Sequence, residues 1–248
     1  MTRRRGDDLG GSVVPGRRAA AELLRAARRP VRSVSLARGA AAADEVAGLA
    51  TARGIRIRWR DPDQLREEAG VDVAQGVVAH AAPVPAEPLA DLLTAAEAFL
   101  VALDGVTDPR NLGAVLRTAL AAGATGAVLP RHRAALLTPA ATKAAAGAVE
   151  HLPIALVGGV ASALDQAARA GVWTVGLDGR GEAVVSELTV ADRPLVLVLG
   201  AEDTGLARLV RARCDVIARI PMPGPVESLN VAAAAAVACF EVARQRRG

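Results

Sequence analysis

The chain has 248 residues, room for one large α/β domain or for one such domain beside a smaller partner. Hydrophobic residues make up 52% of it but aromatic ones only 2%, with no tyrosine, so alanine, valine and leucine must build the core and small-residue helices must pack closely. The formal charge of +4 is uneven: residues 1–90 carry fifteen arginines against eleven acidic groups, whereas residues 91–248 carry fifteen of each sign.

That imbalance suits an arginine-rich module for a polyanion joined to a neutral one; a solvated arginine-preferring surface is the plainer alternative. Cys214 and Cys239 are too few for a disulfide framework, and no His/Cys cluster has metal-ligand spacing. MTRRRGDD lacks the apolar run of a secretory signal, and no stretch is long and apolar enough for a membrane span. A reducing, cytoplasmic setting without a membrane partner is expected.

Residues 1–11 read as a flexible basic tail. GRRAAAELLRAARR (16–29) reads as a helix ended by Pro30, with Ala20, Leu23, Leu24 and Ala27 inward and Arg17, Arg18, Arg25, Arg28 and Arg29 outward. VRSVSLA (31–37) alternates as a strand, residues 41–52 form an alanine-rich helix stopped by Gly54, and IRIRW (55–59) alternates with Ile55, Ile57 and Trp59 on one face. DPDQLREEAG reads as a short capped helix and GVVAHA (76–81) as a strand. Residues 12–82 thus make a small α/β unit, and residues 83–90, within the proline-rich APVPAEP stretch, a stiff linker.

From 91 to 248 the pattern is strand–helix alternation. Strands are expected at FLVALDGV (99–106), GAVLP (126–130), IALVG (154–158), VWTVGLD (172–178), PLVLVLG (194–200) and DVIARIPM (215–222). Helices are expected over 108–123, 138–153, 161–171, 204–214 and 228–245. Near-continuous Val/Leu/Ile/Ala strands between helices predict a parallel sheet covered on both faces, with ligands beyond the carboxyl ends of its strands. There is no GxGxxG after the first strand and no GxxxxGK[ST], so neither a dinucleotide nor an NTP site is supported.

Several residues carry candidate chemistry. Asn111 and Arg117 can border one cleft if their helix runs along it; a salt bridge to a neighbouring helix is the alternative for Arg117. In GAEDTGL (200–206) the glycines permit tight turns, and Glu202 and Asp203 could cap the helix that follows. In PMPGPVESLN (221–230) Ser228 reads as an N-cap with Asn230 in the first turn, behind a proline-stiffened loop. No Ser–His–Asp spacing suggests nucleophilic catalysis. The residues alone give an α/β enzyme or binding protein with an anionic partner.

Three blocks, DGVTDPRNLGAVLRTALAAGA (104–124), LVLGAEDTGL (197–206) and IPMPGPVESLNVAAAAAV (220–237), resemble in order and spacing the three motifs of the SpoU/TrmH ribose methyltransferases of the SPOUT superfamily. PGRRAAAELLRA (15–26) and AQGVVA (74–79) resemble that family's substrate-binding domain, related to the ribosomal L30e fold. The resemblance implies a trefoil-knotted α/β domain that transfers a methyl group from S-adenosylmethionine to an RNA ribose 2'-hydroxyl. It is greatest to enzymes acting on a guanosine of 23S ribosomal RNA, free or in an assembly intermediate.

By that resemblance Gly200, Ile220 and Leu229 hold the cofactor, with Ala201, Met222 and Gly224 nearby and Thr174 and Gly176 adding contacts. Arg117, Asn111, Glu202, Ser228 and Asn230 are the catalytic and pocket residues. The family works as a homodimer packed through the knot, so Arg117 and the cofactor can come from different subunits. Arg17, Arg18 and Arg25 are the candidate RNA contacts. Two departures bear on the target: Ala145 replaces a Ser or Cys frequent in relatives, and VAQG (73–76) lacks their His before Gln-Gly. A transfer-RNA ribose methyltransferase, an antibiotic-resistance ribosomal-RNA enzyme and a non-catalytic RNA-binding protein are the alternatives.

Overall fold

A computed structural model describes residues 8–39, 43–71, 75–132, 134–226 and 228–247. Among these, the front of the chain forms a four-stranded sheet from β1 (Val13–Pro15), β2 (Val31–Ala37), β3 (Ile57–Arg60) and β4 (Val77–Ala81), in the order β1-β4-β2-β3. β2 and β3 run parallel, and β4 is antiparallel to both β1 and β2. Alternation along β2 sends Val34 and Leu36 towards α1 (Arg17–Ala26) and α2 (Ala43–Ala52), and Ala37 towards α3 (Pro62–Ala69) on the opposite face.

The remainder builds a parallel sheet, seven-stranded among the described residues. β5 (Phe99–Asp104), β6 (Gly126–Pro130), β7 (Ile154–Val157), β8 (Trp173–Leu177), β9 (Ala183–Val184), β10 (Leu195–Gly200) and β11 (Val216–Arg219) lie in the order β7-β6-β5-β10-β8-β11-β9. β11 therefore sits between β8 and β9, which follow one another in sequence. Helices α5 (Pro109–Ala121), α6 (Pro139–Ala145) and α9 (Val231–Gln245) cover one face; α4 (Leu89–Leu93), α7 (Val160–Arg169) and α8 (Arg208–Arg211) cover the other. With few aromatic rings available, contact comes from close approach: a Cβ on Gly113 would stand 2.3 Å from the Ala141 carbonyl oxygen, so α5 meets α6 only through a glycine. Among the described residues no helix is long and apolar enough to cross a membrane.

Several element ends differ from the sequence reading. The helix expected over 138–153 breaks at Ala146 and Gly147, both with positive φ, and resumes as a 3-10 turn, Ala148–Glu150. That expected over 204–214 shrinks to four residues, and that expected from 228 begins at Val231. Ala27 is exposed in a left-handed cap instead of inward. Trp59 is 47% exposed, because β3 is an edge strand. The helix expected over 41–52 is described from Ala43, and Val73 and Ala74 of VAQG lie outside the described residues.

The junction between the two sheets is the largest departure. Residues 1–7 of the expected tail lie outside the described residues, but residues 9–11 are packed: Leu9 is buried in the core of the larger sheet, and Gly11 N–H donates to Leu137 O at 2.6 Å. The expected linker is packed too, with Val84 buried and its N–H donating to Gly10 O at 2.9 Å. Arg29, expected outward, is buried. Its Nε donates to Glu150 Oε2 at 2.9 Å and its Nη2 to Glu150 Oε1, with both side chains 2% exposed. Arg29 Nη1 also donates to the carbonyls of Gly11 and Ala82. One guanidinium therefore ties the amino-terminal segment, the linker and the larger sheet together. Thr142 Oγ1, donating to Val13 O at 3.1 Å, and His151, 2.9 Å from Glu22, add to the joint.

Such a pair gains little over an apolar filling but leaves a costly buried charge when halved. Glu150→Ala or Arg29→Ala should lower the unfolding free energy in urea by about 3–5 kcal/mol. The double change Arg29→Met with Glu150→Leu should cost less than either.

Candidate functional site

The carboxyl ends of β8 and β10, with the loop after β11, open onto a cleft of about 590 Å³. Its walls include Leu177 to Arg180 after β8, Leu199 to Gly205 after β10, and Ile220, Met222, Ser228 and Leu229 after β11. The middle loop folds back on itself, with backbone hydrogen bonds both ways between Ala201 and Gly205 at 3.1 and 2.9 Å. A Cβ on Gly200 would meet the Gly205 carbonyl carbon at 2.3 Å, so only glycine permits this fold-back. Asp104, at the end of β5, pins the far side of the loop by accepting from Ala207 N–H at 2.7 Å.

One carboxylate oxygen joins the three sequence blocks. Glu202 Oε1 accepts from Asn111 Nδ2 at 2.9 Å, from Asn230 Nδ2, and from Val231 N–H at 3.2 Å. Asn230 Nδ2 also donates to Asn111 Oδ1 at 3.2 Å. Glu202 thus faces the start of α9, where negative charge is favoured by the helix dipole, and does not cap the short α8 as the local reading allowed. Asn230 is itself the N-cap of α9, its Oδ1 accepting from Ala232 N–H at 2.9 Å; the sequence reading had given that role to Ser228. Ser228 is exposed and lines the cleft.

The expected cofactor residues divide. Gly200, Ala201, Ile220, Met222 and Leu229 line the cleft with Glu202. Gly224 is exposed outside the lining. Thr174 is fully buried, its hydroxyl donating to Asp215 Oδ2 at 2.7 Å and accepting from Asp215 N–H at 2.9 Å, so its polar groups serve the β8–β11 joint. Gly176 is hemmed in by Leu206, Cys214 and Ile217 and gives room for packing. Asp178 and Arg180 belong to the wall, and sequence reasoning missed them. Asp178 is paired with Arg211 at 2.8 Å and accepts from Arg180 N–H, and the only signal was their place just past a buried strand. Burial pushes the thiols of Cys214 and Cys239 up to about 12, so neither is a thiolate near neutral pH.

Arg117 lies elsewhere. It is exposed, without an ion pair among the described residues, and lines a second cleft of about 460 Å³ between the two sheets. Its companions there include Arg17, Arg18 and Gln75 from the front unit and Lys143, the chain's only lysine, from α6. Among the described residues no carboxylate lines this second cleft, although Glu22 and Glu45 line the hollow that adjoins it through Arg17, Arg18 and Arg117, and it shares no residue with the first. Asn111 and Arg117 therefore do not border one cleft within the chain. Arg25, expected beside Arg17 and Arg18, is paired with Glu22 and Glu45, so its charge is already met.

Comparison with known proteins agrees with this division. The SpoU rRNA Methylase family matches residues 98–240, and an RNA 2'-O ribose methyltransferase substrate-binding family matches residues 13–86. A 23S rRNA (guanosine-2'-O-)-methyltransferase RlmB of Pseudomonas aeruginosa is 43% identical over 203 residues, covering 80% of this chain and 81% of that one. A tRNA/rRNA methyltransferase of Mycolicibacterium vanbaalenii, itself named as uncharacterized, is 40% identical over 243 residues, covering 95% of this chain and 77% of the relative. The structure of the SpoU methyltransferase AviRb from Streptomyces viridochromogenes, in complex with the cofactor AdoMet, superposes with a TM-score of 0.80 at 28% identity, covering 95% of this chain and 90% of that one.

Removing the shared acceptor should strand two amides and a helix terminus at once. Glu202→Ala should cost about 1–3 kcal/mol in chemical denaturation, and Glu202→Gln, which keeps an acceptor oxygen, distinctly less.

Proposed function

The chain belongs to the SpoU rRNA methylase family, and from that premise we propose that it methylates a ribose 2'-hydroxyl of ribosomal RNA, with S-adenosylmethionine as donor and a guanosine of 23S RNA as target. The observation that carries this reading is the loop cleft, in which all three sequence blocks meet on Glu202. Its size lies within the roughly 300–1,000 Å³ of small-molecule sites, and its chemistry suits the donor. Leu177, Leu199, Ile220 and Leu229 offer apolar walls to a purine, the folded-back backbone at Gly200 offers amide groups, and Glu202, with no cation partner among the described residues, offers a carboxylate to a cation.

Bound there, the donor supplies an electrophilic methyl group on sulfur. The residues of the chain do the rest. Gly200, Ala201, Ile220, Met222 and Leu229 hold the donor; Glu202 fixes Asn111 and Asn230, and the second Nδ2 hydrogen of Asn111 is left to orient the nucleotide. As the hydroxyl oxygen gains its bond to the methyl carbon, the carbon–sulfur bond breaks with its electron pair left on sulfur in the departing thioether, and the hydroxyl proton passes to water. Arg117, a guanidinium that keeps its proton, stabilises the negative charge developing on that oxygen and does not act as a base. Arg17 and Arg18 grip the RNA backbone.

Arg117 and the loop cleft lie apart, which supports a homodimer whose cleft is completed by the arginine of the other copy. The outer stripe of α9 fits such a contact: Ala233, Val237 and Phe240 are exposed at helical spacing. The knotted path implied by the family resemblance belongs to the same reading, and the placing of β11 between β8 and β9 is consistent with it.

Incubation with methyl-labelled donor and ribosomal RNA from cells lacking this protein should label one ribose, and no transfer to any RNA would refute the proposal. Arg117→Ala should lower turnover by roughly 10²–10³-fold with donor affinity unchanged by calorimetry. Phe240→Glu should shift the protein to monomer in sedimentation and abolish turnover.

A further inference from the structure

Trp59 has no place in the methyl-transfer machinery. Exposed apolar side chains are ordinary, and of this chain's two tryptophans and two phenylalanines three are well exposed, Trp59 at 47%, Trp173 at 41% and Phe240 at 49%; Trp59 is the one of them on the four-stranded sheet. The register explains where it stands. Trp59 pairs with Leu36 on the face covered by α1 and α2, yet sits on the edge strand, one residue before β3 ends. Ile57, two residues earlier on the same face, packs against the core; Trp59 is left to solvent.

The strand order places this ring at the same end of the sheet as the basic cleft. At that end β1 finishes at Pro15 and leads into Gly16 and Arg17, and Gly16 N–H donates to Val77 O, the first residue of β4. Gln75 precedes β4, and Ala37, the last residue of β2, donates its N–H to Gly76 O. Arg38 follows and donates its N–H to Arg60 O at 3.2 Å, beside Trp59. Crossing from β1 to β3 takes three strand spacings of about 4.8 Å, roughly 14 Å in all. One row therefore runs from Arg117 and Lys143 past Arg17 and Gln75 to Arg38 and Trp59. Arg17, Arg38, Arg117 and Lys143 have no ion pair among the described residues. Arg60 is excluded from this count, since it faces Glu68 at 3.7 Å.

Cations track a phosphodiester backbone, and an exposed ring offers a stacking surface that any unpaired base can use. We propose that this end of the four-stranded sheet is a track for single-stranded RNA, with Trp59 stacking on an unpaired base that flanks the nucleotide held near Arg117. The inference rests on the proposed RNA substrate and adds to it a particular structural class, an unpaired segment.

The test uses the full-length protein carrying Trp173→Phe, so that Trp59 is the only indole, with an unpaired twelve-nucleotide RNA as probe. Binding should quench Trp59 emission. Trp59→Ala should weaken affinity about tenfold, Trp59→Phe should restore most of it, and affinity for S-adenosylmethionine should not change. Arg38→Ala should reduce the salt slope by about one. Unaltered emission under saturating RNA, together with full affinity of Trp59→Ala, would overturn the proposal. So would a change of oligomeric state on Trp59→Ala with RNA affinity intact, which would make the ring a protein contact. Quenching by the probe in a protein that methylates no RNA would uphold the track while refuting the proposed activity.

Discussion

The buried pair of Arg29 and Glu150 sets the geometry on which the molecule depends. A guanidinium with four acceptor contacts, to two carboxylate oxygens and two carbonyls, cannot shift without leaving charge unmet in the interior. It therefore holds the small sheet at a fixed setting on the large one. That setting creates the basic cleft, because Arg17 and Arg18 come from one sheet's helix and Arg117 and Lys143 from helices of the other. The spacing of these four cations is thus built into the fold.

A second constraint operates at the loops. Parallel strands buried on both faces have no free surface along their length, so ligand chemistry collects where they end. The chain exploits this with a fold-back at Gly200 that only glycine allows, and with Glu202, which accepts three hydrogen bonds from residues far apart in sequence. Preorganisation of that kind fixes polar groups before a substrate arrives and spares the reaction the cost of ordering them. In the proposed chemistry, the arginine of a second copy would bridge the separation of Arg117 from these loops.

Much of this was legible in the sequence because strands buried on both faces announce themselves as runs such as LVLVLG and FLVALD. The large sheet, the helix stripe of Leu112, Val115, Leu116 and Ala119, and the importance of Gly200 all follow from such patterns. Arg29 was misread because composition treats arginine as a surface residue, and its partner Glu150 is 121 residues away. Alternation placed Trp59 on the face it shares with Ile57 but left its exposure unread, because alternation assigns a face and not whether the strand is an edge. The helix expected over 138–153 ran too long because Gly147, the stop signal just after Ala146, stands within an alanine-rich stretch whose pattern continues past it. Thr174 and Gly176 were placed by resemblance, whereas their buried surroundings depend on Asp215 and Cys214, which no local pattern links to them.

The most direct test is a co-crystal structure with S-adenosylhomocysteine, the demethylated product of the donor. The account predicts density between the loops after β8, β10 and β11, against Gly200, Ile220 and Leu229, with the basic cleft at Arg17 and Arg117 left free for RNA. Density in the basic cleft instead, with the loop cleft empty at saturating ligand, would contradict it.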